Sequence, residues 1–213
     1  MKHLGTLLIF TGSLLLSACG FSSLPDDLHA DEKEKASQSS AETSLESRQD
    51  ARSSDSSAAE SFPDLHSFEA TTVTGDHFSP EDFTEADVTA INIWSTTCGP
   101  CVREMPELAE YAGTLPENLR IITWCVDANI SATGTEIEKY MNECGFHDVT
   151  LASGDGDMQI LYSQLMYTPT TVFVDAKGNM VAEPLIGAGN IAERYSMQFE
   201  AALEQLGIES APQ

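Results

Sequence analysis

The chain has 213 residues, of which 10 are lysine or arginine and 34 are aspartate or glutamate, so its formal net charge is −24. This length indicates one folded domain with extensions, or at most two small domains. The charge argues against a nucleic-acid-binding protein, because phosphate neutralisation needs a basic surface. Hydrophobic residues make up 41% of the chain, enough for a packed core, and its five cysteines are too few for a disulfide scaffold of this size.

The first eighteen residues have the pattern of an export signal. Lys2 precedes an apolar run over residues 4–16 that is too short to cross a bilayer, and small residues follow it. The sequence LSAC, which ends at Cys19, resembles the lipobox of bacterial lipoproteins and so implies a lipid on Cys19 and an anchor in the membrane. The alternative is an ordinary signal peptide in which Cys19 is accidental. Either signal predicts a location outside the cytoplasm, where disulfide chemistry is possible.

Residues 20–61 differ in composition from the rest of the chain. They include 12 serines and 10 acidic residues, and only four of them are large and apolar. Such a segment cannot bury enough surface to offset the entropy of ordering it. We therefore expect residues 19–61 to be a disordered tether that begins at the lipidated Cys19. The folded domain is predicted over residues 62–208, with a short tail at 209–213. Five basic and 24 acidic residues follow position 61, so most of the negative charge belongs to the domain.

Apolar segments and turn residues alternate along the domain. Strands are predicted at residues 68–73, 77–78, 88–94, 119–126, 149–151, 170–174 and 179–186, and helices at 99–111, 134–143, 157–165 and 191–206. Thr133 and Glu136 resemble a capping box at the start of the second helix. Three methionines at helical positions are expected in the core: Met141, Met158 and Met166. Strands that alternate with helices, followed by a late hairpin, predict an α/β fold with a mixed sheet.

The most informative motif is Cys98-Gly99-Pro100-Cys101, which lies between a predicted strand and the helix that follows it. Two cysteines separated by two residues can close a small disulfide, and proline is tolerated in the first turn of a helix. Cys98 is then at the helix N-terminus, where unpaired N–H groups and the helix dipole stabilise a thiolate. Cys101 shares a helix face with the apolar residues that follow it. We therefore predict Cys98 as the exposed nucleophile and Cys101 as the buried resolving cysteine.

Two other interpretations of this motif are disfavoured. One CxxC motif supplies two ligands, whereas a structural zinc ion needs four. The histidines of the domain show no paired ligand spacing: His66, His77 and His147. A peroxidase is the stronger rival, because Cys98 is also a candidate peroxidatic cysteine. Peroxiredoxins carry Pro-x-x-x-Thr-x-x-Cys, however, and here Ile91 and Ser95 occupy the proline and threonine places.

Two separate motifs carry a resemblance to a known group. The segment NIWSTTCGPCVREMP, residues 92–106, resembles a motif of the exported TlpA/ResA-type thiol–disulfide oxidoreductases, and TPTT at residues 168–171 resembles the cis-proline loop of that group. From about residue 68 to residue 206 the chain is similar to the thioredoxin fold. This implies a central mixed sheet flanked by helices, with an N-terminal β-hairpin extension. It also implies that the Cys98–Cys101 disulfide exchanges with thiols or disulfides of client proteins.

The resemblance implies a substrate-binding surface around the disulfide. It implies a cis peptide bond between Thr168 and Pro169, in a loop that presents backbone groups to the substrate, although only a few per cent of X–Pro bonds are cis. Thr97, Gly99 and Pro100 complete this expected surface. Thr97 stands where the group usually has a tryptophan, and this departure leaves the choice of partner open.

The helix glutamate of the same group falls on Glu104, which implies that Glu104 accepts or relays the proton of Cys101. Asn92 stands where thioredoxins have a buried acid, and an amide cannot take a proton. Glu104 lies at the edge of the buried helix face, where partial burial is expected to raise its pKa. The alternative is a solvated helix glutamate. Cys125 and Cys144 are expected to be small buried hydrophobes rather than a disulfide.

These features predict a lipid-anchored extracytoplasmic thiol–disulfide oxidoreductase that acts as a monomer. A reducing role is favoured because Gly-Pro between the cysteines resembles thioredoxin. Family analogy implies a membrane thiol carrier as electron donor, with cytochrome c maturation or repair of oxidised proteins as client pathways. No metal, cofactor or nucleic acid is expected. Two alternatives stay open: a thiol peroxidase that uses Cys98, and a tethered module that binds a client without turnover.

Overall fold

The structure is a computed structural model that describes residues 62–209. The predicted signal at residues 1–18, the lipidation residue Cys19 and the predicted tether at residues 19–61 lie outside the described residues. Within the described part of the chain, no helix has both the length and the apolar character needed to span a membrane.

Seven β-strands and four α-helices make up residues 62–209. In chain order they are β1 (Ala70–Thr72), β2 (His77–Phe78), β3 (Val88–Trp94), α1 (Gly99–Ala112), β4 (Leu119–Cys125), α2 (Gly134–Glu143), β5 (Thr150–Gly154), α3 (Gly156–Gln164), β6 (Thr170–Asp175), β7 (Leu185–Ile186) and α4 (Ile191–Leu206). The bounds of β2, β3, α2 and α4 are those predicted. The capping box of α2 is also confirmed, because the Thr133 hydroxyl accepts a hydrogen bond from the backbone N–H of Glu136.

The strands form one mixed sheet in the order β2-β1-β5-β4-β3-β6-β7. The inner strand β3 pairs in parallel with β4 and antiparallel with β6. Every residue of β3 is buried, because helices cover both faces of the sheet. The side chains of this strand therefore do not alternate between the core and solvent. Helices α1, α2 and α4 pack on one face, and α3 packs on the other. This architecture confirms the predicted α/β fold, and the β1–β2 hairpin extends one edge of the sheet.

The register of β3 determines which loops meet at the end of the sheet. Trp94, the last residue of β3, pairs with Cys125 at the end of β4. On the other side, Ile93 pairs with Thr170 at the start of β6. The loop after β3 and the loop before β6 therefore lie side by side. This places the CxxC motif next to the predicted cis-proline loop.

The prediction of a strand over residues 179–186 is wrong. Only β7 forms there, together with an isolated bridge between Val174 and Met180. Pro184 lies between these two points and has no backbone N–H to donate, so it cannot contribute to a continuous ladder. The hairpin expected after β6 therefore consists only of the Val174–Met180 bridge and the short pairing of β6 with β7.

The prediction that Met166 belongs to the core is also wrong. Helix α3 ends at Gln164, so Met166 is outside the helical periodicity and is 78% exposed. Met141 and Met158 are buried, as predicted. A 3-10 helix at Pro80–Glu85 has no predicted counterpart, although a proline in its first turn is a start signal.

Candidate active site

The CxxC motif makes the transition from β3 to α1. Cys98 is the N-cap residue of α1, and Pro100 lies in the first turn. The loop before it is held by Asp127, whose carboxylate accepts hydrogen bonds from the backbone N–H and the hydroxyl of Thr96 at 2.8 and 2.7 Å. The central strand and this anchored loop together fix the point at which Cys98 meets the helix.

Cys98 and Cys101 form a disulfide, with their Cα atoms 5.3 Å apart. Cys98 is half-buried, whereas Cys101 has no exposed surface. Sγ of Cys98 accepts a hydrogen bond from the backbone N–H of Cys101 at 3.2 Å. This N–H is one of the donors that a helix N-terminus leaves without a partner in the helix. The same contact therefore favours negative charge on Cys98 once the disulfide is reduced.

The peptide bond between Thr168 and Pro169 is cis, as the resemblance implies. The carbonyl oxygen of Thr168 lies 3.4 Å from Sγ of Cys98. The carbonyl oxygen of Pro169 accepts a hydrogen bond from the N–H of Gly187 at 2.8 Å, which ties the loop to the end of β7. Two motifs that are 70 residues apart along the chain thus meet at the sulfur of Cys98.

The surface around the disulfide contains both apolar and basic groups. Three of the predicted substrate-contact residues are exposed there: Thr97, Gly99 and Pro100. The guanidinium group of Arg103 lies against Gly99, where an added Cβ would meet its Nη1 at 3.2 Å. Met166 and Tyr167 precede the cis bond and are 78% and 64% exposed. Uncovered apolar side chains therefore stand beside the loop that contacts Cys98.

Glu104 lies one helical turn after Cys101 and is buried rather than solvated. It is 8% exposed, and its Oε2 has no hydrogen-bond partner among the described residues. Burial raises the pKa of Glu104 to about 7, although the Gly189 backbone N–H, Arg194 and Asn92 act in the opposite direction. A carboxyl group with this pKa can take up or release a proton near neutral pH.

Two hydroxyl groups that the sequence did not single out lie beside the buried amide of Asn92, and we refer to Thr171 and Tyr195 as the hydroxyl pair. Nδ2 of Asn92 donates to Thr171 Oγ1 at 3.2 Å and to the Tyr195 hydroxyl at 3.1 Å. The two hydroxyl oxygens are 2.7 Å apart. Burial raises the pKa of Tyr195 well above its ordinary value, so this hydroxyl keeps its proton. The sequence signal was weak, because Tyr195 lies on the apolar face of α4, where it fits an ordinary core residue.

The other cysteines of residues 62–209, Cys125 and Cys144, are free, in agreement with the expectation that they do not pair. Cys125 is fully buried, and its thiol donates to Asp127 Oδ1 at 3.2 Å. Burial raises the pKa of Cys125 to about 12, so this thiol stays protonated. Cys144 is half-buried at the C-terminal end of α2. In the same part of the chain, no group of three or more His, Cys, Asp or Glu side chains is arranged to hold a metal ion.

A disulfide at the start of the helix that follows the central strand, beside a cis-proline loop, is the reactive centre of thioredoxin-like thiol–disulfide oxidoreductases, and this protein is an enzyme of that class. The chain belongs to the Redoxin family, whose model matches residues 57–185 and therefore more than half of its length. A comparison with curated proteins finds no match.

Solved structures of thioredoxin-like proteins share the fold. A DsbF homologue from Corynebacterium diphtheriae is 17% identical, with a TM-score of 0.54, and the match covers 65% of this chain and 85% of that one. A thiol:disulfide interchange protein from Chlorobium tepidum is 19% identical, with a TM-score of 0.51 over 63% and 94% of the two chains. The thioredoxin domain of a Bacteroides vulgatus thiol-disulfide oxidoreductase is 14% identical, with a TM-score of 0.50 over 62% and 94%. At these identities the matches establish the fold.

Replacement of Glu104 by Gln should remove a pH dependence from the stability of the oxidised protein. The native pKa of about 7 lies above the unperturbed value of 4.5, so the folded state holds this proton more tightly than the unfolded state. The stability that this proton contributes is complete below the unfolded pKa and is lost as the pH rises through the folded pKa. At alkaline pH the free energy of unfolding should therefore be lower by about 3 kcal/mol than at acidic pH. Urea denaturation of wild type and Glu104→Gln at acidic and alkaline pH measures the difference.

The matched control is Glu110→Gln, because Glu110 lies on the same helix and is exposed. This variant should keep the pH dependence of the wild type. A Glu104→Gln variant whose stability changes with pH as steeply as that of the wild type would show that Glu104 is not buried as described.

Proposed function

We propose that the protein reduces disulfides of client proteins with its Cys98–Cys101 pair. The observation that carries this proposal is the position of the Cys98 sulfur. It is half-buried, 3.2 Å from the Cys101 N–H at the start of α1 and 3.4 Å from the carbonyl oxygen of Thr168. A sulfur in this place is accessible to a client and is stabilised as a thiolate, whereas the fully buried Cys101 is not.

The exchange takes two steps. In the reduced protein, the Cys98 thiolate attacks one sulfur of the client disulfide, forms a mixed disulfide and releases the other client sulfur as a thiolate. Cys101 then gives its proton to Glu104 and attacks Sγ of Cys98. This breaks the mixed disulfide and releases the second client sulfur. Two electrons have passed from the cysteine pair to the client, and the released thiolates equilibrate with protons from Glu104 and solvent.

The residues around the pair take the remaining roles in this proposal. Backbone groups of Thr168 and Pro169 bind the client main chain, since the carbonyl oxygen of Thr168 already lies beside the reactive sulfur. Exposed residues of the motif complete the contact: Thr97, Gly99 and Pro100. Thr97 covers less of this surface than the tryptophan of the related group, which leaves room for a bulkier client segment.

Each reduction leaves the Cys98–Cys101 pair oxidised, so an external dithiol must return two electrons to it. We assign this role to a thiol carrier in the membrane, and the client role to proteins outside the cytoplasm, either in cytochrome c maturation or in repair of oxidised proteins. The Gly-Pro sequence between the cysteines favours the reducing direction, as in thioredoxin. The protein works as a monomer, and the proposed chemistry needs no metal or cofactor.

The proposal includes export and a membrane anchor, with removal of residues 1–18, a lipid on Cys19, a tether at 19–61 and the domain at 62–208. In bacterial cells, Cys19→Ala should abolish incorporation of labelled fatty acid and move the protein out of the membrane fraction, because the lipid attaches to the cysteine sulfur. The wild type should carry the label. A Cys19→Ala protein that still carries the label would refute the anchor at this residue.

The two cysteines should differ in a trapping experiment. With dithiothreitol as donor, the reduced wild type should catalyse reduction of insulin disulfides, and both Cys98→Ser and Cys101→Ser should lose turnover. Cys101→Ser should accumulate a mixed disulfide with the client because the resolving sulfur is missing. Cys98→Ser should accumulate none. Non-reducing electrophoresis and mass spectrometry measure the adduct.

Cys144→Ser is the matched control, because Cys144 is a partly exposed cysteine outside the site and its loss should leave turnover unchanged. A wild type that binds the client without turnover, and a Cys101→Ser variant that forms no adduct, would contradict the proposal in favour of a binding module. Consumption of hydrogen peroxide by the wild type, coupled to thiol oxidation and without insulin reduction, would instead favour a peroxidase.

A further inference from the structure

Helix α1 contains a proline, so one backbone carbonyl of the helix loses its usual donor. In an α-helix, each carbonyl oxygen accepts a hydrogen bond from the N–H group four residues later, and Pro106 has no N–H. The carbonyl affected is that of Val102, the residue after Cys101. The ring of a proline inside a helix also crowds this same carbonyl. The hydrogen-bond ladder of α1 is therefore weakened next to the cysteine pair.

The hydroxyl group of Tyr140, on α2, donates a hydrogen bond to this carbonyl. The hydroxyl oxygen of Tyr140 lies 2.8 Å from the carbonyl oxygen of Val102. Burial raises the pKa of Tyr140 well above its ordinary value, so the hydroxyl keeps its proton and remains a donor. A side chain of the neighbouring helix thus supplies the hydrogen bond that the proline removes.

The ring of Tyr140 also contacts the strand that leads into the site. It packs against Trp94, the last residue of β3, with the two ring centroids 5.8 Å apart. Residues 95–98 connect Trp94 to α1. Tyr140 therefore contacts the chain on both sides of the loop that carries Cys98.

Val102 connects the Tyr140 hydroxyl to the reactive sulfur. Its backbone N–H donates to the carbonyl oxygen of Cys98 at 3.1 Å, and the N–H of Cys101 donates to Sγ of Cys98 at 3.2 Å. Without the Tyr140 hydroxyl, the Val102 carbonyl would tilt outward, as carbonyls on the solvent side of helices do. The neighbouring peptide groups would turn with it, and the Cys101 N–H would point less directly at the Cys98 sulfur.

We infer that Tyr140 is a positioning residue for the exchange reaction. Its hydroxyl replaces the missing Pro106 N–H as the donor to Val102. By holding this carbonyl, Tyr140 keeps the Cys101 N–H directed at the sulfur of Cys98 and so favours the thiolate. This inference rests on the proposed function, in which that thiolate attacks the client disulfide.

The test removes only the hydroxyl group, in Tyr140→Phe, which keeps a ring against Trp94. In the reduced full chain, the apparent pKa of Cys98 should rise by about half a pH unit to one pH unit, because its charge-assisted hydrogen bond is weakened. The thiolate fraction at pH values below the midpoint then falls about three- to tenfold. Alkylation by iodoacetamide over a range of pH, resolved by residue, measures the change. The charged groups beside the Cys98 loop, Arg103 and Asp127, are the same in every variant.

A second substitution tests whether the hydroxyl acts through the carbonyl. Pro106→Ala returns an N–H group to the helix at the position from which it can donate to Val102. In this background, Tyr140→Phe should change the apparent pKa of Cys98 clearly less than it does alone. The double-mutant cycle of the two substitutions measures this dependence.

Tyr111→Phe is the matched control, because it deletes a hydroxyl contact between α1 and a different helix. The Tyr111 hydroxyl lies 3.0 Å from Oγ of Ser196 on α4. The apparent pKa of Cys98 in this variant should equal that of the wild type.

Two results would overturn the inference, even if Tyr140→Phe loses stability. One is an apparent pKa of Cys98 that stays unchanged or falls in Tyr140→Phe. The other is a rise of the same size with and without Pro106, which would show that the hydroxyl does not act through Val102. Because the reduced protein is alkylated without a client, either result is separate from a failure of the trapping experiment, which concerns the proposed function.

Discussion

The hydrogen bond from the Cys101 N–H to the Cys98 sulfur is the contact on which the proposed chemistry depends, and at 3.2 Å it joins this sulfur to the N-terminus of α1. The rest of the fold brings the sulfur to this position. The inner strand β3 delivers the chain to the edge of the sheet, and Asp127 holds the loop through Thr96. The net negative charge of the domain disfavours a thiolate at Cys98, because 24 acidic and five basic residues follow position 61. The hydrogen bond from the Cys101 N–H acts in the opposite direction. A local donor and the helix dipole must outweigh that field for a thiolate to form.

Burial of Cys101 and Glu104 raises the pKa of Glu104 and lowers the stability of the protein when Glu104 is ionised. Cys101 and Glu104 lie on the buried face of α1, so neither meets solvent freely. Burial moves the pKa of Glu104 to about 7, which suits proton transfer at neutral pH but makes the ionised side chain unfavourable in the fold.

Local patterns predicted most of the fold and the two motifs of the site, because helix starts, strand runs and the CxxC spacing are each contained in a short segment. Predictions that needed tertiary information were less successful. Met166 follows the predicted end of α3 at residue 165, and its apolar character alone did not reveal that it lies uncovered before the cis-proline loop. The hydroxyl pair could not be predicted, because Tyr195 is 24 residues from Thr171 and 103 from Asn92, and only the packing of α4 on the sheet brings them together.

The most direct test of the account is the acidity of Cys98 in the reduced full chain. Alkylation by iodoacetamide over a range of pH, resolved by residue with mass spectrometry, measures the thiolate fraction of each cysteine. We expect Cys98 to react with an apparent pKa clearly below the value of about 8.5 for a free cysteine. An apparent pKa at or above about 8.5 would show that the acidic domain outweighs the helix N-terminus and would contradict Cys98 as the activated nucleophile.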